Sequence, residues 1–414
     1  MKFAVALLLA LSFCAHTLFA DDVVESRRLY QAALAAEKEK DAAGVVKNLR
    51  AASDLRPQHG TLLVQLAGAL EAVGERAEAV RILERVAAMG FVYPIEKEFP
   101  DKAYAAVAQR FALNAKPAGK ARREHTIDRL GLIPEGMAWD GKRLFVSSVR
   151  TKTIFAIAGD GTVTPFATAP WGVFGMAADP RRGVLWAVTA ALPQVEGFVA
   201  ADKGRSALLR IDLKDGHIVE SLSAPEGEHH FGDVTVAPDG AVYVSDSASP
   251  VIYRLPEDGV TPRTLVPFLN GPFLSMQGLA VSGEKLYVAD YAKGLFAVDR
   301  RTLDVHALGV PATASLLGVD GLYAVDERTL VGTQNGTSPN RIIRIRLAPG
   351  GLAVAAVETL LANVSGFGDP TLGVIAGNRF FFNGNAQWDL FDEDGKILDP
   401  LKLSEAVVFS VPLR

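Results

Sequence analysis

The feature that most constrains this chain is a unit that recurs six times between residues 118 and 414. Each unit opens with a short strand flanked by small residues. A tight turn follows, then an apolar strand ending in Ser, Thr, Asp or Asn. The openings read Pro-Glu-Gly-Met-Ala-Trp (134–139), Phe-Gly-Met-Ala-Ala-Asp (174–179), Gly-Asp-Val-Thr-Val (232–236), Gln-Gly-Leu-Ala-Val (277–281), Asp-Gly-Leu-Tyr-Ala-Val (320–325) and Gly-Asp-Pro-Thr-Leu-Gly-Val (368–374). The second strands include Val-Tyr-Val-Ser-Asp (242–246) and Leu-Tyr-Val-Ala-Asp (286–290). Taking Glu135, Phe174, Asp233, Gln277, Asp320 and Asp369 as equivalent, successive units lie 39 to 59 residues apart, and the longest spacing holds an insertion near Leu192–Arg205. A period of about 40–50 residues with about four strands per unit predicts a β-propeller, here with six blades. Val407–Leu413 reads as a strand of the last blade, which His125–Leu130 from the other end helps to close.

In a propeller the first strand of every blade lines a central channel, so equivalent positions meet around one axis. That ring reads Glu135, Phe174, Asp233, Gln277, Asp320 and Asp369, with no basic residue. Four carboxylates this close repel unless protons or a cation neutralise them. A hard divalent cation does so, and calcium takes 6–8 oxygen ligands in flexible geometry. No cysteine or histidine cluster is offered for zinc. The second strands run back to the same face, which predicts Ser148, Asp246, Asp290, Asn335, Asn383 and Asn385 around the channel mouth, with Phe174, Asp246, Asp290, Asn335 and Asn383 as substrate-binding groups. His229 and His230 fall at the same mouth, with His230 as a candidate base. Arg341, Arg344 and Arg346 read as one solvated strand face.

Residues 21–117 are different. They are rich in Ala, Leu, Glu, Arg and Lys, with apolar residues at helical spacing. The spacing predicts helices over 24–39, 42–55, 60–73, 76–89 and 101–113. An offset of 34 aligns Leu29 with Leu63, Ala33 with Ala67 and Leu49 with Leu83. That is the tetratricopeptide period, and the stretch resembles that family over two units. Such hairpins bury their apolar face only by stacking on a neighbour. So short an array is expected to lean on the downstream domain, and it offers a surface for a protein partner. The fold class is therefore a mainly β six-bladed propeller preceded by an all-α helical-repeat module.

Residues 1–20 follow the plan of a secretory signal peptide, with cleavage expected after Ala20 and a periplasmic or secreted product. The single cysteine, Cys14, lies in that segment. No stretch is long and apolar enough to span a bilayer. The formal net charge of −4, from 43 basic and 47 acidic residues, gives no pull toward nucleic acid.

The Pro-Glu-Gly-Met-Ala-Trp opening, the Val-Asp-Gly-Leu of 319–322 and the repeated Leu-Tyr-Val strands resemble the senescence marker protein/gluconolactonase family. Its members are six-bladed propellers related to strictosidine synthase and paraoxonase. The resemblance implies hydrolysis of a lactone or related ester with one divalent metal. It implies Glu135 and Asp320 as metal ligands, with Asp320 also the general base. Gln277 stands where the family places an asparagine, and Asp233 and Asp369 are carboxylates beyond the usual set. The competing expectation is a non-catalytic propeller that binds a ligand or protein, with the helices as an interaction module.

Overall fold

The computed structural model describes residues 22–255 and 263–414. The proposed signal segment, Ala20 and Cys14 lie outside the described residues. Five helices come first: α1 over 22–38, α2 Ala42–Leu55, α3 Gly60–Ala72, α4 Arg76–Ala88 and α5 Ala105–Asn114. Asp41 caps α2 by accepting the Gly44 N–H at 2.9 Å, and Pro57 follows its end. The small residues at the expected close approach, Ala33 and Ala67, are buried with Leu49, Leu63 and Leu83. Phe91, Ile95, Phe99, Tyr104 and Phe111 complete that core.

The rest of the chain forms six four-stranded antiparallel sheets. The first five blades are each continuous in sequence. The sixth combines Gly373–Ala376 and Arg379–Asn383 with Glu405–Pro412, and Arg122–Leu130 pairs on its outer edge. The two ends of the propeller segment meet in one blade, as the spacing predicts, and no sheet is left half-built where the ring closes. Among the described residues no helix is long and apolar enough to cross a membrane.

The innermost strands share a device. In each of the first five blades the register slips within the channel-lining segment: Pro134/Met137, Val173/Met176, Phe231/Asp233, Met276/Leu279 and Val319/Leu322. Such bulges re-aim side chains. Glycine at this point lets neighbouring blades touch. A Cβ on Gly136 would stand 2.1 Å from the Phe174 carbonyl oxygen, and one on Gly278 would stand 2.5 Å from that of Asp320.

The residues closing the second strands have a different task from the expected one. Asp290 is fully buried and accepts four backbone N–H groups, those of Leu274 and Ser275 at 2.6 and 3.0 Å and of Ala292 and Lys293 at 3.0 Å each. Asp246, also fully buried, accepts from His230 N (2.9 Å), Ala248 N (3.0 Å) and Ser249 Oγ (2.7 Å) and pairs with His229 Nδ1 at 2.6 Å. Ser148 and Gln334 likewise donate to the carbonyls of Leu132 and Leu317. Buried loops carry polar backbone that must be satisfied, and these side chains satisfy it. Asp290→Ala strands four N–H groups and is expected to cost about 3–5 kcal/mol. Urea unfolding measures this, and a change under 1 kcal/mol, about the size of an ordinary surface substitution, would contradict it.

The helical module packs on blades four and five at the end where their innermost strands begin. Val92 N donates to Ser338 O (2.7 Å), Leu316 N to Gln58 Oε1 (2.8 Å) and Asn363 Nδ2 to Asn114 O (2.9 Å). Arg341 is not on a solvated face. It is 2% exposed, donates to Met89 O at 2.9 Å and Gln334 Oε1 at 2.6 Å, and lies over the Phe91 ring. Arg344 is buried too, bonded to Glu358 and the Leu413 carbonyl. Only Arg346 stays exposed.

Candidate active site

Glu135, Asp320 and Asp369 come together at the channel mouth. Glu135 and Asp320 are each 7% exposed and sit on the innermost strands of blades one and five. Asp369 precedes the innermost strand of blade six, on the loop leading into it. Burial dominates their titration. It drives Glu135 well above the usual carboxyl range, and the charges of Asp320, Asp369 and Asp233 push the same way. Asp320 is raised to about 7 by burial and by Asp369, against the hydrogen bond from Asn335. Asp369 is raised to about 6, again chiefly by burial. Among the described residues no lysine or arginine forms an ion pair with any of them.

Asp233 stands one residue off the ring. Its N–H donates to Ser245 Oγ at 3.0 Å, as that of Gly136 donates to Ser147 Oγ and that of Gly321 to Thr333 Oγ1, both at 2.7 Å. The true equivalent of Glu135 in blade three is therefore Gly232. The bulge turns Asp233 between the blades, where Oδ2 accepts Leu279 N at 2.9 Å and Oδ1 lies against Gly175. Burial raises Asp233 to about 7. Gln277 is half-buried, with its Oε1 beside Gly232.

The expected substrate-binding ring divides. Asp246 and Asp290 are spent on turns, as described above, and cannot reach a ligand. Asn383 is 1% exposed and donates to the Glu135 carbonyl at 2.7 Å, so it positions the backbone of Glu135. Asn335 does face the cluster. Its Nδ2 donates to Asp320 Oδ2 (2.8 Å) and Pro370 O (2.9 Å), while its Oδ1 is buried without a partner. Phe174 is 5% exposed and forms a wall, edge-on to His230 with ring centres 4.6 Å apart. Burial pulls the His230 pKa down, so its ring stays neutral near pH 7. His230 borders the site through Phe174.

Three residues of the site have no counterpart in the sequence reading. Trp388 donates Nε1 to Glu135 Oε2 at 3.1 Å and stacks on Phe174. It sits in the connection 384–404 of blade six, which packs on the insertion near 192–205: Gln194 Nε2 donates to Asp392 O at 2.9 Å. The insertion was visible as an over-long spacing, but not the loop it supports. Tyr323 accepts the Gly373 N–H at 2.8 Å and lies close enough to Asp233, Asp320 and Glu135 to feel their charge. Tyr291 feels Asp320 and Asp369 in the same way.

Among the described residues no three or more His, Cys, Asp or Glu side chains are grouped closely enough to hold a metal ion. The expected set of Glu135, Asp233, Gln277, Asp320 and Asp369 does not close on one point. The donors on hand are hard oxygens: the carboxyls of Glu135 and Asp320, whose charges interact, and the unpartnered amide oxygen of Asn335, which is bonded through Nδ2 to Asp320. That chemistry suits calcium or magnesium.

No protein-family profile matches the chain. No curated protein matches it either. Solved structures similar to it include a gluconolactonase from Xanthomonas campestris, at 20% identity over 73% of this chain and 93% of that one, TM-score 0.46. A virginiamycin B lyase from Staphylococcus aureus is 13% identical over 71% of this chain and 99% of that one, TM-score 0.45. The WD40 propeller domain of Doa1 is 10% identical over 71% and 96%, TM-score 0.42. These likenesses lie in the propeller and carry no argument about activity.

Proposed function

We propose that the protein is an exported hydrolase of lactones or related esters, working with a calcium-type cation at the channel mouth. The observation that carries this is the pairing of two buried, unneutralised carboxyls, Glu135 and Asp320, beside the unpartnered Asn335 Oδ1. Buried like charges without a counter-charge are costly and mark functional sites. Glu135, Asp320 and Asn335 would hold the cation. When bound, it supplies Lewis-acid polarisation of a carbonyl.

The chain's own groups supply the rest. Asn335 Nδ2 fixes Asp320 Oδ2, leaving Oδ1 to take a proton from water. Burial raises Asp320 to about 7, and a bound cation would lower it, favouring the carboxylate form that accepts a proton. Trp388 Nε1 fixes Glu135 through Oε2. Phe174, Trp388 and the neutral His230 form an apolar wall that excludes bulk water. A lactone panel assayed with and without chelator tests the proposal. Turnover that chelator abolishes and calcium restores is expected, and turnover indifferent to chelator overturns it.

A second reading has its own support. The helical module carries a groove of about 640 Å³ lined by Tyr30, Leu34, Val45, Leu49 and Val64. A protein partner seated there would make the propeller a binding platform, and the lactone panel would then show no turnover at all.

A further inference from the structure

Between the helical module and the propeller lies a cavity of about 290 Å³. Arg27, Arg56, His59, Tyr93, Tyr291 and Thr337 are among its walls, and no Asp or Glu lines it. Its charge is one-sided. Arg27 is exposed on α1, and Arg56 is half-buried just past α2. Arg56 spends one nitrogen on the Ala292 carbonyl at 2.9 Å. The nearest carboxylate felt by Arg56 is Asp290, whose two oxygens already accept four backbone N–H groups. Burial and the charge of Arg27 both pull the Arg56 pKa down, the mark of two guanidiniums facing a space without an anion.

The cavity abuts the candidate active site. Tyr291 and Gly336 belong to its lining. The ring of Tyr291 rests on Gly336, where a Cβ would stand 2.6 Å from Cζ. The next residue is Asn335, which holds Asp320. Tyr291 lines the crevice and also feels the charges of Asp320 and Asp369, so it borders both the crevice and the carboxyl cluster.

We infer that this crevice is an anion subsite for the substrate, which carries a carboxylate or phosphate beside the bond to be cleaved. The inference rests on the hydrolase reading for the word substrate, but not for the anion. Guanidinium groups bind carboxylate and phosphate alike through paired N–H donors. The helical module then acts as part of the binding site, since both arginines come from it.

Calorimetric titration of the full protein with inorganic phosphate and, separately, with malonate tests the subsite directly. Binding of at least one probe, weakened by salt, is expected. Arg27→Gln combined with Arg56→Gln keeps a donor for the Ala292 carbonyl and should weaken that binding at least about tenfold. Arg27→Glu alone, at an exposed position, should weaken it in the same direction with no change in melting temperature. Absence of binding in the unmodified protein, or equal binding in the variants, overturns the subsite. Preference for phosphate or malonate tells which anion the crevice was built for. A matched pair of lactones, one neutral and one bearing that anion, gives the second readout. In the double variant kcat/KM for the charged lactone should fall at least about tenfold further than kcat/KM for the neutral one. Anion binding lost in the variants with no lactone turned over would keep the subsite and remove the hydrolase. Turnover without anion binding would do the reverse.

Discussion

With a chelator present, raising the pH from about 6.5 to about 8.5 is expected to lower the melting temperature of the propeller by ~5 °C or more, and calcium is expected to restore it. The sign follows from the carboxyl cluster. Asp233 and Asp320 are raised to about 7 and Asp369 to about 6 from an ordinary value of 3.8, and Glu135 stands higher than its usual range. A folded-state pKa above the unfolded one means that the folded protein holds extra protons in between. That contribution is complete below the unfolded value and is lost as pH rises through the folded one. For Asp233 the span from 3.8 to about 7 corresponds to on the order of 4 kcal/mol in all, of which about 1 kcal/mol is lost above pH 6.5. His59 works in the opposite sense at lower pH. Burial and Arg56 depress it to about 4 from 6.5, so its contribution is present above 6.5 and fades as pH falls toward 4. The window above 6.5 therefore reports the carboxyls. Scanning calorimetry at fixed ionic strength makes the measurement. A melting temperature that is flat across the window, or indifferent to calcium, would mean that the cluster is already neutralised by something else.

Asp320→Asn should remove lactone turnover by about 10²–10⁴-fold in kcat while leaving the fold intact. The amide oxygen can still accept the Asn335 Nδ2 hydrogen bond. It cannot take a proton. The same change deletes one of the mutually repelling carboxyls, so the variant should melt higher than the unmodified protein at pH 8 in chelator. Lost activity with raised stability is a signature that a merely structural aspartate does not give. A variant that retains turnover would take the base role from Asp320, and one that melts lower would show that its charge is compensated in the folded protein.

The architecture was legible because it is periodic. Alternating apolar residues, turn dipeptides and a period near 45 residues leave few ways for a chain to bury its surface. The same holds for the helices, whose observed bounds follow the 3.6-residue apolar pattern within a few positions. The placement of Glu135 and Asp320 on innermost strands was also legible, since each stands next to glycine at the opening of a unit.

What could not be read was set by single-residue shifts and by distant loops. A bulge moves Asp233 from the ring into the space between blades, and side chains of period two change neighbours with every such step. Asp246 and Asp290 look like ligands in sequence, but the surrounding backbone claims their oxygens. Trp388 reaches Glu135 across 253 positions, carried by a loop with no repeat of its own. The chain's local pattern determined six blades, five helices and an acidic channel. Only tertiary packing decided which carboxyls stay unpaired, and it alone set two arginines of the helical module at a crevice that shares Tyr291 with them, because burial and neighbouring charge are properties of the assembled fold.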